Sequence, residues 1–199
     1  MTTGIISTLG CVVRQESGYS LVQLIQTDAA INAGTSGGPL LNAREVIGVN
    51  TFILSSSGSS AGVGFAVPGN AVKRVVPSLI ATGRYDDPWL GISGLSVTPV
   101  AAEALVLPVE QGILLQGVAP EGPAVRAGQR GNDQQVEIDG VLLPAGGDAV
   151  VAIDGVAMLD MDSLIVYLVE TAVGQTVILD TICGGEGLGV DVILEERSG

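Results

Sequence analysis

No histidine occurs among the 199 residues of this chain. The commonest general base at neutral pH is therefore missing, and so is the commonest nitrogen ligand for a metal. Only two cysteines are present, Cys11 and Cys183, far apart and in apolar surroundings. Neither has a neighbouring Cys to build a metal site, so both are expected as small buried hydrophobes rather than as a disulfide. No metal or other cofactor is implied. Aromatic residues make up 3% of the chain, which predicts an aliphatic core. No apolar run approaches the roughly 18 residues of a membrane span. The N-terminal "MTTGIISTLG" lacks the basic-then-apolar pattern of a signal peptide and begins inside what reads as a strand.

Positive charge is scarce, and its scarcity is local. Residues 1–85 hold three acids and five bases, a net +2, whereas residues 86–199 hold eighteen acids and three bases, a net −15. Such a break predicts two modules, 1–85 and 86–199, meeting near residues 85–88. An acidic half repels phosphate, which excludes nucleic acid as a partner.

What is present is strand-forming sequence, glycine and short helices. "TGIISTLGCVV", "YSLVQLIQT", "EVIGVNTFIL" and "VGFAVP" read as strands, with "RQESG" and "SSSGSSAG" as polar connections. This suits an antiparallel β-barrel. "NAVKRVVPSLIATGR" reads as a helix with Asn70 as its cap and Gly83 as its stop. Its apolar stripe is Val72, Val75, Val76, Leu79 and Ile80, and Pro77 should kink it. In the second half, Thr98 caps a helix with Pro99 in its first turn, and "GPAVRAGQ" is a short helix stopped at Gly128. "DAVVAIDGVAM" is a strand followed by an Asp-Gly turn, and "MDSLIVYLVETAVG" is a helix burying Leu164, Ile165, Leu168 and Val169. The fold expected is mainly β, with an α+β second module.

Chemistry concentrates in "NAGTSGGPLLN", residues 32–42. Glycines on both sides of Ser36 let the backbone turn sharply, so that nearby amides can point at one spot and stabilise the oxygen of an attacked carbonyl. Gly34-x-Ser36-x-Gly38 also fits the nucleophile elbow of α/β-hydrolases. That elbow requires a following helix and a later histidine, whereas Pro39 and a strand follow here. Asp28, Glu45 and Lys73 are the internal candidates for a base. Lys73, beside Arg74 on a basic helix face, lacks the desolvation that a Ser–Lys pair needs.

The succession "QTDAAINAGTSGGPLLNAREVIGVNT" and "GVGFAVPGNAVKRVV" resembles the HtrA/Deg family of trypsin-like serine proteases over about the first 85 residues. The resemblance implies Ser36 as nucleophile and the amides of Gly34 and Ser36 as the oxyanion hole. Residues before the loop and on the Asn50–Thr51 strand would line an apolar specificity pocket. Thr35 stands where the family most often has Asn. In the family, the histidine and aspartate of the triad come from a preceding barrel, so this segment corresponds to the later part of such an enzyme, with an incomplete second barrel. Unpaired strands near residues 3–9 and 48–54 would then favour a homo-oligomer.

"PWLGISG", "TPVAAEALVLP", "GILLQGVAPEGPAVRAG" and "GGDAVVAIDGVAM" resemble the PDZ domain that follows the protease in this family. The resemblance implies that Leu90, Gly91 and Ile92 hold a peptide's C-terminal carboxylate and that an edge strand adds the peptide by β-augmentation. A helix over residues 162–171 would form the groove's other wall, where Leu164 and Leu168 fit either groove or core. "RGNDQQVEIDGVLLPAGGD" reads as an inserted hairpin. Partners would be peptides or unfolded protein C-termini, and the setting extracytoplasmic. Two functions follow: a serine hydrolase working through Ser36, or a non-catalytic peptide-binding protein.

Overall fold

The computed structural model describes residues 1–15, 20–54, 61–138 and 141–197. Most of the polar connection after β1, the serine-rich loop at 55–60 and the Asp139-Gly140 tip of the inserted hairpin lie outside the described residues. The chain divides into two compact units, Met1–Tyr85 and Asp86–Gly199. Among the described residues, no helix is long and apolar enough to cross a membrane.

The first unit is an antiparallel sheet of β1 (Ile6–Arg14), β2 (Ser20–Thr27), β3 (Pro39–Asn42), β4 (Glu45–Ile53) and β5 (Gly64–Pro68), in the order β1-β2-β5-β4-β3. The sheet does not close into a barrel, so β1 and β3 are its edges. The expected edge at residues 48–54 is corrected in part: Gly48 faces Leu40 of β3 on one side and Pro68 of β5 on the other. Leu24, Ile25, Ala29, Ile31, Phe65 and Ala66 are buried. Phe52 and Phe65 stack with ring centroids 4.9 Å apart, so this core is not wholly aliphatic.

Helix α1 (Gly69–Thr82) starts directly from β5, with extended Pro68 at the N-cap and no side-chain cap. Asn70 therefore already lies inside the first turn and cannot serve as the cap. Gly83 ends the helix at φ 78°, its amide reaching Leu79 O at 3.0 Å. The helix runs through Pro77. Val72 and Val75 are half-buried, whereas Val76, Leu79 and Ile80 stay exposed, so only two of the five stripe residues are even partly covered.

The second unit contains β6 (Pro88–Trp89), β7 (Ile92–Val97), α2 (Pro99–Ala104), β8 (Gly112–Val118), α3 (Pro123–Arg126), β9 (Gln134–Ile138), β10 (Val141–Ala145), β11 (Ala149–Ile153), β12 (Val156–Ala157), α4 (Met161–Leu168), β13 (Thr176–Cys183), β14 (Glu186–Ile193) and β15 (Glu195–Glu196). Its main sheet runs β14-β13-β11-β8-β7, with β12 paired to β11, so β7 is an edge strand. Strands β9 and β10 form their own hairpin. Thr98 caps α2 through Ala101 N, as its sequence predicts. Asp154 and Gly155 both take positive φ, 48° and 75°, the primed turn that suits a hairpin. The core is aliphatic: Leu90, Ile113, Leu115, Val150, Ile153, Met158, Leu164, Val177, Leu179, Val192 and Leu194 pack together.

Both cysteines are free and half-buried, not fully buried. Each has a polar partner that sequence context could not reveal. Cys11 Sγ lies 3.8 Å from Gln26 Oε1, and Cys183 Sγ accepts from Arg130 Nη2 at 2.8 Å.

Candidate functional site

The serine loop is reached through a clamped lead-in. Ile5 N donates to Asp28 Oδ1 at 2.7 Å, and Thr27 Oγ1 donates to Ile5 O at 2.8 Å. Thr2 Oγ1 adds a bond to Ala30 O at 2.9 Å. Asp28 thus ties the N-terminal segment to the chain entering the loop. A Cβ on Gly4 would meet the Ala29 amide nitrogen at 2.4 Å, so this close approach requires glycine. Buried Ala29 and Ile31 then anchor the lead-in to the sheet.

Residues 32–35 form a turn closed by Thr35 N donating to Asn32 O at 3.0 Å. Gly34 sits at its third position with φ 88°, the left-handed value that a type II turn demands there. The Thr35 hydroxyl braces the turn twice, donating to Asn32 O at 2.6 Å and accepting from Asn32 N at 3.1 Å. Beyond Ser36, the loop is laced to β4: Gly37 N donates to Asn50 O at 2.8 Å and Asn50 N to Gly38 O at 2.9 Å. Among the described residues, the amides of Gly34 and Ser36 have no protein acceptor. That leaves two donors two residues apart on a braced turn, the arrangement that can receive an oxyanion.

The Ser36 hydroxyl donates to Thr51 O at 3.0 Å. None of Asp28, Glu45 and Lys73 takes that proton. The Asp28 carboxylate accepts from Ile5 N, and Glu45 and Lys73 are exposed. Sequence reasoning missed the Thr35 brace and the setting of Asn50, whose Oδ1 is buried without a partner among the described residues.

In the second unit, residues 89–92 form a tight loop leading into β7. Gly91 has φ 75°, and a Cβ there would crowd Pro123 and Trp89 at 3.3 Å. The carbonyls of Leu90 and Gly91 are turned inward, accepting from Ala124 N at 3.0 Å and Ala119 N at 2.7 Å. The Leu90 and Gly91 amides meet no protein acceptor among the described residues. The Leu90 side chain is core, and that of Ile92 packs against the same core.

Helix α4 starts in a capping box: Asp160 Oδ1 accepts from Ser163 N at 2.7 Å while Ser163 Oγ accepts from Asp160 N at 3.1 Å. It spans Met161–Leu168, shorter than the expected 162–171. Its first amide donates to Ser96 Oγ of β7 at 3.2 Å, joining helix and edge strand. Leu164, at 2% exposure, packs in the core, one of the two settings its sequence position allowed. The helical period turns it toward the sheet. Leu168 is half-buried against the same core. Tyr167 donates to Asp154 Oδ2 at 2.6 Å, and burial followed by this hydrogen bond pushes its hydroxyl up to about 12.

The chain is similar in sequence and fold to known proteins. The trypsin family model matches residues 2–76, which therefore form a trypsin-like domain. The chain is also homologous to HtrA-type serine proteases. It is 36% identical to a putative serine protease, HhoA, of Synechocystis, covering 96% of this chain and 47% of that protein. Over its whole length it is 31% identical to the periplasmic serine endoprotease DegP of Escherichia coli, covering 38% of that protein. Its fold superposes on the HtrA-type protease AlgW, solved with a decapeptide, with a TM-score of 0.77 and 35% identity, covering 100% of this chain and 56% of that one. The chain spans about half the length, or less, of the curated relatives it matches.

Proposed function

We propose that Met1–Tyr85 is the nucleophile-bearing part of an HtrA-type serine hydrolase and that Asp86–Gly199 is a PDZ domain binding free C-termini of peptides or unfolded proteins. Ser36 is the nucleophile and the amides of Gly34 and Ser36 form the oxyanion hole. The observation that carries this is the braced turn at Gly34, with two donors left without acceptors beside an exposed Ser36. No histidine is present to take the serine proton, so these residues alone cleave peptides weakly or not at all. An oxyanion hole by itself retains about 10³–10⁴-fold catalysis over water, enough for slow turnover of activated esters. A fluorophosphonate probe tests the assignment. Labelling confined to Ser36 and abolished in Ser36→Ala supports it, and labelling elsewhere refutes it.

A second reading, a peptide-binding protein without catalysis, is favoured by the Ser36 hydroxyl resting on Thr51 O instead of on a base. In both readings the peptide adds to the free edge of β7, with its carboxylate at the amides of Leu90, Gly91 and Ile92. The α4 side of the groove starts at Met161, tied to Ser96. Ile165 and Leu168 follow one and two turns on, at the spacing of one helix face. AlgW was solved with a decapeptide and with a tripeptide, which agrees with a peptide as ligand. Calorimetry with a free-acid peptide and its C-terminal amide tests this. Loss of affinity in the amide supports carboxylate capture, and equal affinity rejects it.

A further inference from the structure

We infer that Arg126 is a positioning residue for carboxylate capture, its guanidinium holding the chain segments that aim the amides of the Leu90–Ile92 turn. This rests on the proposed binding of a free C-terminus at that turn. The turn is anchored through its carbonyls: Leu90 O accepts from Ala124 N of α3 at 3.0 Å, and Gly91 O accepts from Ala119 N at 2.7 Å. In a trans peptide the carbonyl and the following N–H point in opposite directions. With both carbonyls held, the N–H groups of Gly91 and Ile92 are turned away from those anchors. Their aim is therefore set by where α3 and the turn at residues 119–122 sit.

Arg126 ties these anchors to each other and to a further segment. It is the last residue of α3, and its guanidinium donates through Nη1 to Glu121 O of the 119–122 turn and through Nη2 to Glu195 Oε1 of β15. The turn is closed by Gly122 N donating to Ala119 O at 3.0 Å. Within it, Glu121 takes φ 60°, a left-handed value that a non-glycine residue leaves unless held. Glu195 pairs with Trp89 of β6, the residue directly before Leu90. A Cβ on Gly91 would meet the Trp89 ring and Pro123 of α3, each at 3.3 Å, so both bear directly on the turn. A planar guanidinium can serve a carbonyl and a carboxylate at once in fixed geometry, which an ammonium on a flexible stem cannot. The Arg126 and Glu195 side chains are half-exposed. An exposed ion pair adds little to stability, so the role assigned to Arg126 is alignment of the turn.

The test uses the full chain and a fluorescent decapeptide with an apolar last residue, as free acid and as C-terminal amide. Arg126→Gln should weaken binding of the acid about fivefold and leave the amide within about twofold. Glu195→Gln should weaken the acid about threefold. These two variants change net charge in opposite directions. A field effect on an anionic ligand would weaken the acid in the first and strengthen it in the second, whereas loss of a shared tie weakens it in both. Arg126→Lys keeps the charge without the fork and should fall between the wild type and Arg126→Gln. The urea midpoint should stay close to that of the wild type in all three. An acid-to-amide ratio unchanged in Arg126→Gln, or an acid affinity raised in Glu195→Gln, would overturn the role of Arg126 while leaving carboxylate capture intact. A lowered midpoint with acid and amide weakened alike would mark a general structural role and overturn it too. Equal binding of acid and amide by the wild type would instead reject carboxylate capture itself.

Discussion

The hydroxyl of Ser36 rests on the backbone carbonyl of Thr51, 3.0 Å away, across the gap between the glycine loop and β4. The bond occupies the proton that a general base would remove. An incoming base must displace a neutral hydrogen bond, worth roughly 1 kcal/mol net, before the serine can attack. If Ser36 is the nucleophile proposed above, its chemistry should be limited by the supply of a base.

The purified chain should leave casein-like substrates intact and hydrolyse activated esters slowly, with the ester activity lost in Ser36→Ala. Supplying imidazole should raise the ester rate above imidazole's own background hydrolysis in the wild type and not in Ser36→Ala, because a small base can take the serine proton. Robust, Ser36-dependent cleavage of protein by the unaided chain would contradict this.

Gly34→Ala should cost about 1–2 kcal/mol in urea unfolding, because φ 88° is a left-handed conformation that a Cβ disfavours. No atom lies within 4 Å of the added Cβ, so the cost is conformational rather than steric. The variant should escape it by relaxing the turn, and fluorophosphonate labelling of Ser36 should fall with it.

Gly91→Ala combines the same backbone cost, at φ 75°, with crowding against Pro123 and Trp89. It should lower the stability of the unit by about 1–3 kcal/mol and abolish discrimination between peptide acid and amide. A variant that folds as well as the wild type and still prefers the acid would refute the role of this turn.

The Tyr167 hydroxyl should ionise late. Its folded value lies near 12, above the ordinary 10, so the neutral hydroxyl is the stabilised form. The contribution is complete below pH 10 and is lost as pH rises through 12. Absorbance at 295 nm should show a late titration step that is absent in Tyr167→Phe. That variant should lose less stability than the wild type between pH 10 and 12.

Strand β1 is an edge of its sheet, and Ile5, Ile6 and Leu9 on and beside it are exposed. Lys and Pro, the residues that usually guard an edge, are absent from it. Light scattering over a dilution series should show self-association of the chain, and Leu9→Lys should suppress it. A monomer at every concentration would show that this edge is protected in another way.

Much of this molecule was legible without coordinates because it is encoded over a few residues. Thr98 before Pro99 marks a helix start, Asp154-Gly155 marks a primed turn, and glycines around Ser36 mark a sharply turned loop. In each case one backbone conformation or one short hydrogen bond decides, and neighbouring residues suffice to specify it. Asn70 failed as a cap because β5 runs straight into α1, a continuity that depends on sheet pairing. Only the tertiary structure decided that Leu164 faces the core, that β4 lies inside the sheet while β1 lies at its edge, and that Asp28 clamps Ile5. Those outcomes depend on which strand pairs with which and in what register, which neighbouring residues do not specify. An apolar stripe or a lone carboxylate looks the same in sequence whether a neighbour covers it or water does.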